Sequence, residues 1–289
     1  MRNSTLCTAA TAVMVTAGMA SASTIDGTNG VGDSYGTPLF IQDTATGFGD
    51  NGNADVLEAD GSEINAVYGG ISGGNLDLLV TGNLQTNFNR LVLFFDTGAG
   101  GDNVVGDSTT DTSMGGGTLD SYNGLTFDSS FTANAFLSIN GGNSPVEFFV
   151  DYADIGGTGS FVGTTGGGNT TASFGNGIDV GIDNSNTGGV TGLSAAGAAS
   201  VLTGFEFSIP LSLLGNPTGN IDVAGFISGG GSFLSNQVFG GVDGAGNLGD
   251  APDFSSIAGD QFVTVVIPEP TALGGVLALS LVTLRRRRG

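Results

Sequence analysis

The sequence predicts an all-β protein, a single β-sandwich or jelly-roll domain, and three observations carry that expectation. Short runs of β-branched, aromatic and aliphatic residues recur between Gly- and Asn-rich clusters, as in folds of many short strands joined by tight turns. One run, Phe205-Glu206-Phe207-Ser208-Ile209, alternates apolar and polar residues with the period of a strand. Helix signals are scarce: residues 194–202 have the alanine content for one, and Gly197 weakens it. The 54 glycines among 289 residues would by themselves suit a disordered chain, but the recurrent apolar runs supply what disordered segments lack.

In chain order, residues 23–37 read as a loose leader. Strands are expected over residues 39–42, 64–71, 76–81, 91–96, 131–140, 146–152, 178–183, 204–209, 221–228 and 261–267. The segment Arg90-Leu91-Val92-Leu93-Phe94-Phe95-Asp96 is almost continuously apolar, as expected of a central strand covered on both sides. In the alternating run, Phe205, Phe207 and Ile209 are expected to face the core, with Glu206 and Ser208 in water. Pro210 ends that strand, residues 211–214 suit one helical turn, and Gly215 suits a left-handed cap. Residues 240–260 read as a long Gly/Asp-rich loop before the final strand, and loops of that length are often functional. No repeat of fixed period appears, so residues 23–267 are read as one domain.

Both ends of the sequence carry targeting signals. Met1-Arg2, an apolar stretch over residues 6–19 and the small-residue site Ala20-Ser21-Ala22 read as a secretory signal peptide over residues 1–22, cleaved at Ala20–Ala22. At the other end, Pro268-Glu269-Pro270 is held extended by its prolines. A 14-residue apolar run, 271–284, and the cluster Arg285, Arg286, Arg287, Arg288 follow. That run spans about 21 Å as a helix, short of a hydrocarbon core of about 30 Å, so insertion relies on the arginines snorkelling from the cytoplasmic side.

This order of Pro-Glu-Pro, short apolar helix and terminal Arg cluster, residues 268–289, resembles the PEP-CTERM sorting signal of Gram-negative bacteria. The resemblance implies transient membrane anchoring, recognition of Pro268, Glu269 and Pro270 by exosortase, removal of the tail, and association with exopolysaccharide at the cell surface or in the extracellular matrix. The alternative reading of the same residues is a plain single-span anchor.

Composition closes several functions. The only cysteine, Cys7, lies in the signal peptide, and the sequence has no His, Trp or Lys, so residues 23–267 offer no disulfide or thiolate site. A nucleophilic Ser or Thr lacks its usual activating base. Of 27 acids and six bases, 26 and one fall within residues 23–267, a formal charge of −25 with Arg90 the lone cation. Such a polyanion is a poor partner for nucleic acid or anionic lipid.

The stretches 75–84, 91–103 and 203–215 (TGFEFSIPLSLLG) resemble the sandwich shared by DOMON domains and family-nine carbohydrate-binding modules. The haem-binding branch uses Met and His ligands and the sugar-binding branch Trp platforms; this sequence has neither His nor Trp.

Calcium takes oxygen donors from carboxylates and amides in tight loops. Asp96, Asp102, Asn103 and Asp107 form the densest such group after a strand, with a second over residues 50–58 and a third over 183–188. Each also suits ordinary Asx-turns. The phenylalanines are expected to be core. Tyr122 is open to stacking on a sugar or packing locally, and Arg90 to binding an acidic sugar or pairing with an Asp. A carboxylate pair for glycoside hydrolysis cannot be singled out among 26 acids. Three readings follow: a non-catalytic exported surface or matrix protein, a carbohydrate-binding module or adhesin, and a secreted hydrolase.

Overall fold

The computed structural model describes residues 23–33, 35–48, 61–106, 119–157, 159–167, 169–186, 197–242 and 246–268. The signal peptide with Ala20 and Ala22, the tail from Glu269 through Arg285, Arg286, Arg287 and Arg288, and Asp107 lie outside these residues. Pro268 is described, exposed and without regular structure.

The chain is all-β, in two antiparallel sheets. One has the order β1 (Phe40–Ile41), β2 (Glu63–Ser72), β3 (Asn75–Asn83), β10 (Gly204–Pro210), β9 (Asp179–Ile182), β8 (Thr170–Ser173). The other runs β13 (Gly249–Asp250), β12 (Phe233–Val238), β11 (Ile221–Ser228), β4 (Arg90–Asp96), β5 (Ala135–Gly142), β6 (Glu147–Asp154), β7 (Gly159–Gly166). β14 (Val263–Val265) joins β11 beside its first three residues, while β12 pairs with the end of β11 across a register shift. Among the described residues, the 194–202 stretch yields one 3-10 turn, Ala198–Ser200. Among the described residues no helix is long and apolar enough to cross a membrane.

Alternation produces the main core. Leu76, Leu78 and Val80 of β3 and Phe205, Phe207 and Ile209 of β10 pack against Leu91, Leu93 and Phe95 of β4, Leu137 and Ile139 of β5, and Phe148 and Val150 of β6. The eight-stranded sheet is covered on its other face too. There Val92 and Phe94 of β4, Phe136 of β5 and Phe226 of β11 meet Leu125, Phe127, Phe131 and Phe254 from the connecting segments. The apolar continuity of β4 therefore has its expected cause: alternate side chains enter two different cores.

Phe94 is the hub of the second core, with ring centroids 5.0 Å from Phe127 and 5.1 Å from Phe136 in edge-on contacts. Two connections build its cover. Thr126 N–H donates to Pro252 O and Phe254 N–H to Thr126 O, at 3.1 and 2.8 Å. The expected loop over 240–260 is thus, where described, part of a wall that buries Val242 and Phe254.

The expectation that Glu206 and Ser208 face water is overturned, as is that of a loose leader. Glu206 is fully buried because residues 26–33 and Tyr35 lie over the outer face of the six-stranded sheet. Its carboxylate accepts from Tyr35 Oη at 2.6 Å and from the backbone N–H groups of Asp26 and Gly27 at 2.8 and 2.9 Å. Contact is so close that a Cβ on Gly181 would lie 2.5 Å from Gly27 N. Thr28 pairs with Thr203, and Tyr35 packs with Ala66, Tyr68 and Leu79. Ser208 Oγ donates to Asp77 at 2.6 Å. The turn after β10 behaves as expected, with Gly215 at φ 77° and Asn216 N–H reaching back to Leu211 O at 2.7 Å.

Two stability predictions follow from these layers. Phe94→Ala should cost about 3–5 kcal/mol in urea unfolding. Burial raises the Glu206 carboxyl from 4.5 to about 7, against the pull of its three hydrogen bonds. The native state then holds a proton that the unfolded chain has lost across that window, so stability falls as pH rises through it. Glu206→Gln should flatten that fall; part of a slope remains because burial also raises Asp77, Asp128 and Asp222. An unchanged profile would exclude Glu206 as a contributor.

Candidate functional site

The second core covers only one end of its sheet face. At the other end β4, β5, β6 and β7 leave a cavity of about 550 Å3, lined by Arg90, Asn140, Phe149, Asp151 and Phe161 from the strands and by Asn87, Phe88 and Gly230 from connections. Register explains the floor. Arg90 lies opposite Asn140, and Asn140 opposite Phe149, so their side chains share the face that carries Val92, Phe94 and Phe136 farther along.

Phe161 reaches this face through a bulge. Val150 is opposite Gly163 but Asp151 is opposite Phe161, a one-residue shift between β6 and β7. Regular pairing would set Val162 opposite Asp151 and turn Phe161 to the other side. Phe161 is 44% exposed, an aromatic ring held at the pocket rather than in a core.

Phe88 forms the opposite rim and is held there at a conformational cost. Its φ is 70°, a region where residues with a Cβ other than Asn and Asp are uncommon, and it is 43% exposed. The turn is pinned on each side: Phe88 N–H donates to Gly141 O at 2.8 Å, Asn89 Nδ2 to Ser62 Oγ at 2.8 Å, and Gln85 N–H to the same Ser62 Oγ at 3.0 Å. The ring lies flat against Gly142, where a Cβ would come within 2.2 Å of it. A strained backbone that presents an apolar ring to solvent adds little burial to offset its cost.

The two charged groups of the floor are buried. Arg90 is 8% and Asp151 3% exposed, and the Arg90 Nη1 atom has no hydrogen-bond partner. Tyr122 stands behind them, fully buried, with its hydroxyl 2.6 Å from Ser228 Oγ. Burial pushes that hydroxyl up from its ordinary value, and the Arg90 charge draws it the other way. Tyr122 also meets Phe94 and Phe226 edge-on, so of its two readings the structure selects local packing.

Of the calcium candidates, Asp96, Asp102 and Asn103 do not line this pocket, and the side chains of Asp96 and Asn103 staple loops. Asp96 accepts from Gly98 N–H at 2.8 Å and from Thr132 N–H at 2.7 Å. Asn103 Nδ2 donates to the carbonyls of Asp128 and Phe131 at 2.8 and 2.9 Å. Asp102 is exposed and pairs through its backbone with Ala133. Among the described residues no three acidic side chains gather as a metal site. Asp183 likewise serves a turn, accepting from Ser185 N–H at 3.1 Å.

The expectation that the phenylalanines are core fails at Phe88, Phe149 and Phe161, and away from the pocket at Phe233, which is 45% exposed. Alternation shows only that the neighbours Phe148 and Phe149 cannot share one core. Phe88 stood between Asn87 and Asn89, a turn context at odds with a core side chain.

Phe88→Asn should leave stability unchanged within about 1 kcal/mol in urea unfolding, because Asn tolerates the left-handed backbone that strains Phe. A much larger loss would identify Phe88 as a structural residue. Comparison of the chain with protein-family models, with curated proteins and with solved structures finds no match.

Proposed function

We propose that this is an exported, non-catalytic surface or matrix protein whose sandwich holds a saccharide of the surrounding exopolysaccharide in the pocket over β4–β7. The carrying observation is that pocket: three phenyl rings beside a buried Arg90 whose Nη1 has no hydrogen-bond partner. Sugars present an apolar ring face and a rim of hydroxyls, which aromatic rings and fixed donors and acceptors complement. Phe takes the platform role here that Trp fills in the sugar-binding modules the sequence resembles.

A binding role is favoured over hydrolysis by the lining itself. Among the described residues Asp151 is the one carboxylate of the lining, whereas glycoside hydrolysis ordinarily uses two. The tail supplies the rest of the reading: Pro268, Glu269 and Pro270 for exosortase, and the apolar run with its arginines for transient anchoring in the inner membrane of a Gram-negative-type bacterium. Nothing in this function requires a cofactor, and the acidic surface argues against nucleic acid as partner.

Two measurements test it. Mass spectrometry of the protein from normally grown cells should find a chain beginning near Ser23 and lacking Arg285–Arg288; an intact C-terminal peptide would favour a plain anchor. A glycan array probed with the protein should give saccharide binding that Phe88→Asn and Arg90→Gln each reduce about tenfold or more. Binding untouched by both substitutions would remove the pocket from the function.

A further inference from the structure

The geometry and charge of the pocket narrow its ligand further, granted the saccharide reading on which this step rests. The centroids of Phe88 and Phe149 are 6.4 Å apart and those of Phe149 and Phe161 6.5 Å. The row crosses the strands, from the turn before β4, over β6, to β7, because Asn140 separates Arg90 from Phe149 and Phe161 lies opposite Asp151. Each step is comparable with the advance of one pyranose along an extended chain. A cavity of about 550 Å3 accommodates a short run and not a long one.

Charge selects among such runs. The floor carries one guanidinium and one carboxylate, Arg90 and Asp151, and its remaining polar side chains are the neutral amides of Asn87 and Asn140. The formal charges cancel locally, inside a domain with a net charge of −25. A carboxylate-bearing sugar would enter a repulsive field with no net positive charge to receive it. Hydroxyl groups both donate and accept, and so match a lining that holds both a guanidinium and a carboxylate.

We infer that the pocket binds an uncharged oligosaccharide laid across β4–β7, one sugar on each phenyl ring, and rejects uronic-acid chains. Phe161 then acts as the outermost platform, aimed by the β6–β7 bulge.

The test is calorimetric titration of the full-length chain in mild detergent with neutral gluco-, galacto- and manno-oligosaccharides of one to four units, and with uronate oligomers of matching linkage. In at least one neutral series affinity should rise about tenfold or more from mono- to trisaccharide and then level off. Uronates should bind more weakly, with a gap that narrows as added salt screens the acidic surface. Phe161→Ala, with an unchanged circular dichroism spectrum, should abolish the advantage of trisaccharide over disaccharide and spare disaccharide binding. A trisaccharide no tighter than the monosaccharide would overturn the one-sugar-per-ring arrangement, and uronates as tight as neutral chains would overturn the charge selection. If no sugar of either series binds, the saccharide reading itself fails.

Discussion

Double burial of the Arg90–Asp96 strand is the constraint on which the rest of the molecule depends. A sandwich ordinarily hides one face of each sheet and wets the other. Here Leu91, Leu93 and Phe95 enter the inter-sheet core while Val92 and Phe94 enter a second one, so β4 needs partners on both sides. The second set comes from connections and not from a third sheet. That is why Phe127, Phe131 and Phe254, all outside the strands, are as buried as strand residues. It also fixes the site: the cover stops partway along the face, and the pocket opens where it ends.

Polar side chains do the joining that regular structure cannot. Gln237 accepts from Ile64 N–H and donates to Thr44 O, and Asn184 both donates to and accepts from the backbone of Leu84. Buried amides of this kind satisfy backbone groups in segments that lack a ladder partner. With no His, Trp or Lys and little helix, the chain relies on Asn, Gln, Ser and Thr for its fixed contacts, and the turn that presents Phe88 is one product.

Much of the fold was legible from period and punctuation. β4, β10 and β11 announced themselves by apolar runs, and Pro210 and Gly215 closed β10 as their backbone chemistry requires. β7 and β8 did not, because GSFVGTTG and TTAS are mostly small residues that become strands by pairing at the sheet edge and not by intrinsic preference. Glu206 misled for a different reason. Period two says which side a residue takes but not what covers that side, and the cover, residues 26–33 with Tyr35, lies more than 170 positions away. The same limit hid the pocket: Phe161 depends on a bulge, and Asp151 and Arg90 on a register, that only pairing defines. The acidic loops were conspicuous by composition, yet the side chains of Asp96 and Asp183 are spent on holding turns.

The burial of Arg90 has a consequence for attack by proteases. Proteases of the trypsin type cut after Lys or Arg, and residues 23–267 contain one such position. It sits in the middle of a sheet at 8% exposure, where no extended peptide can be drawn into a catalytic cleft without dismantling both cores. The folded sandwich thus offers that whole class of enzymes no place to begin.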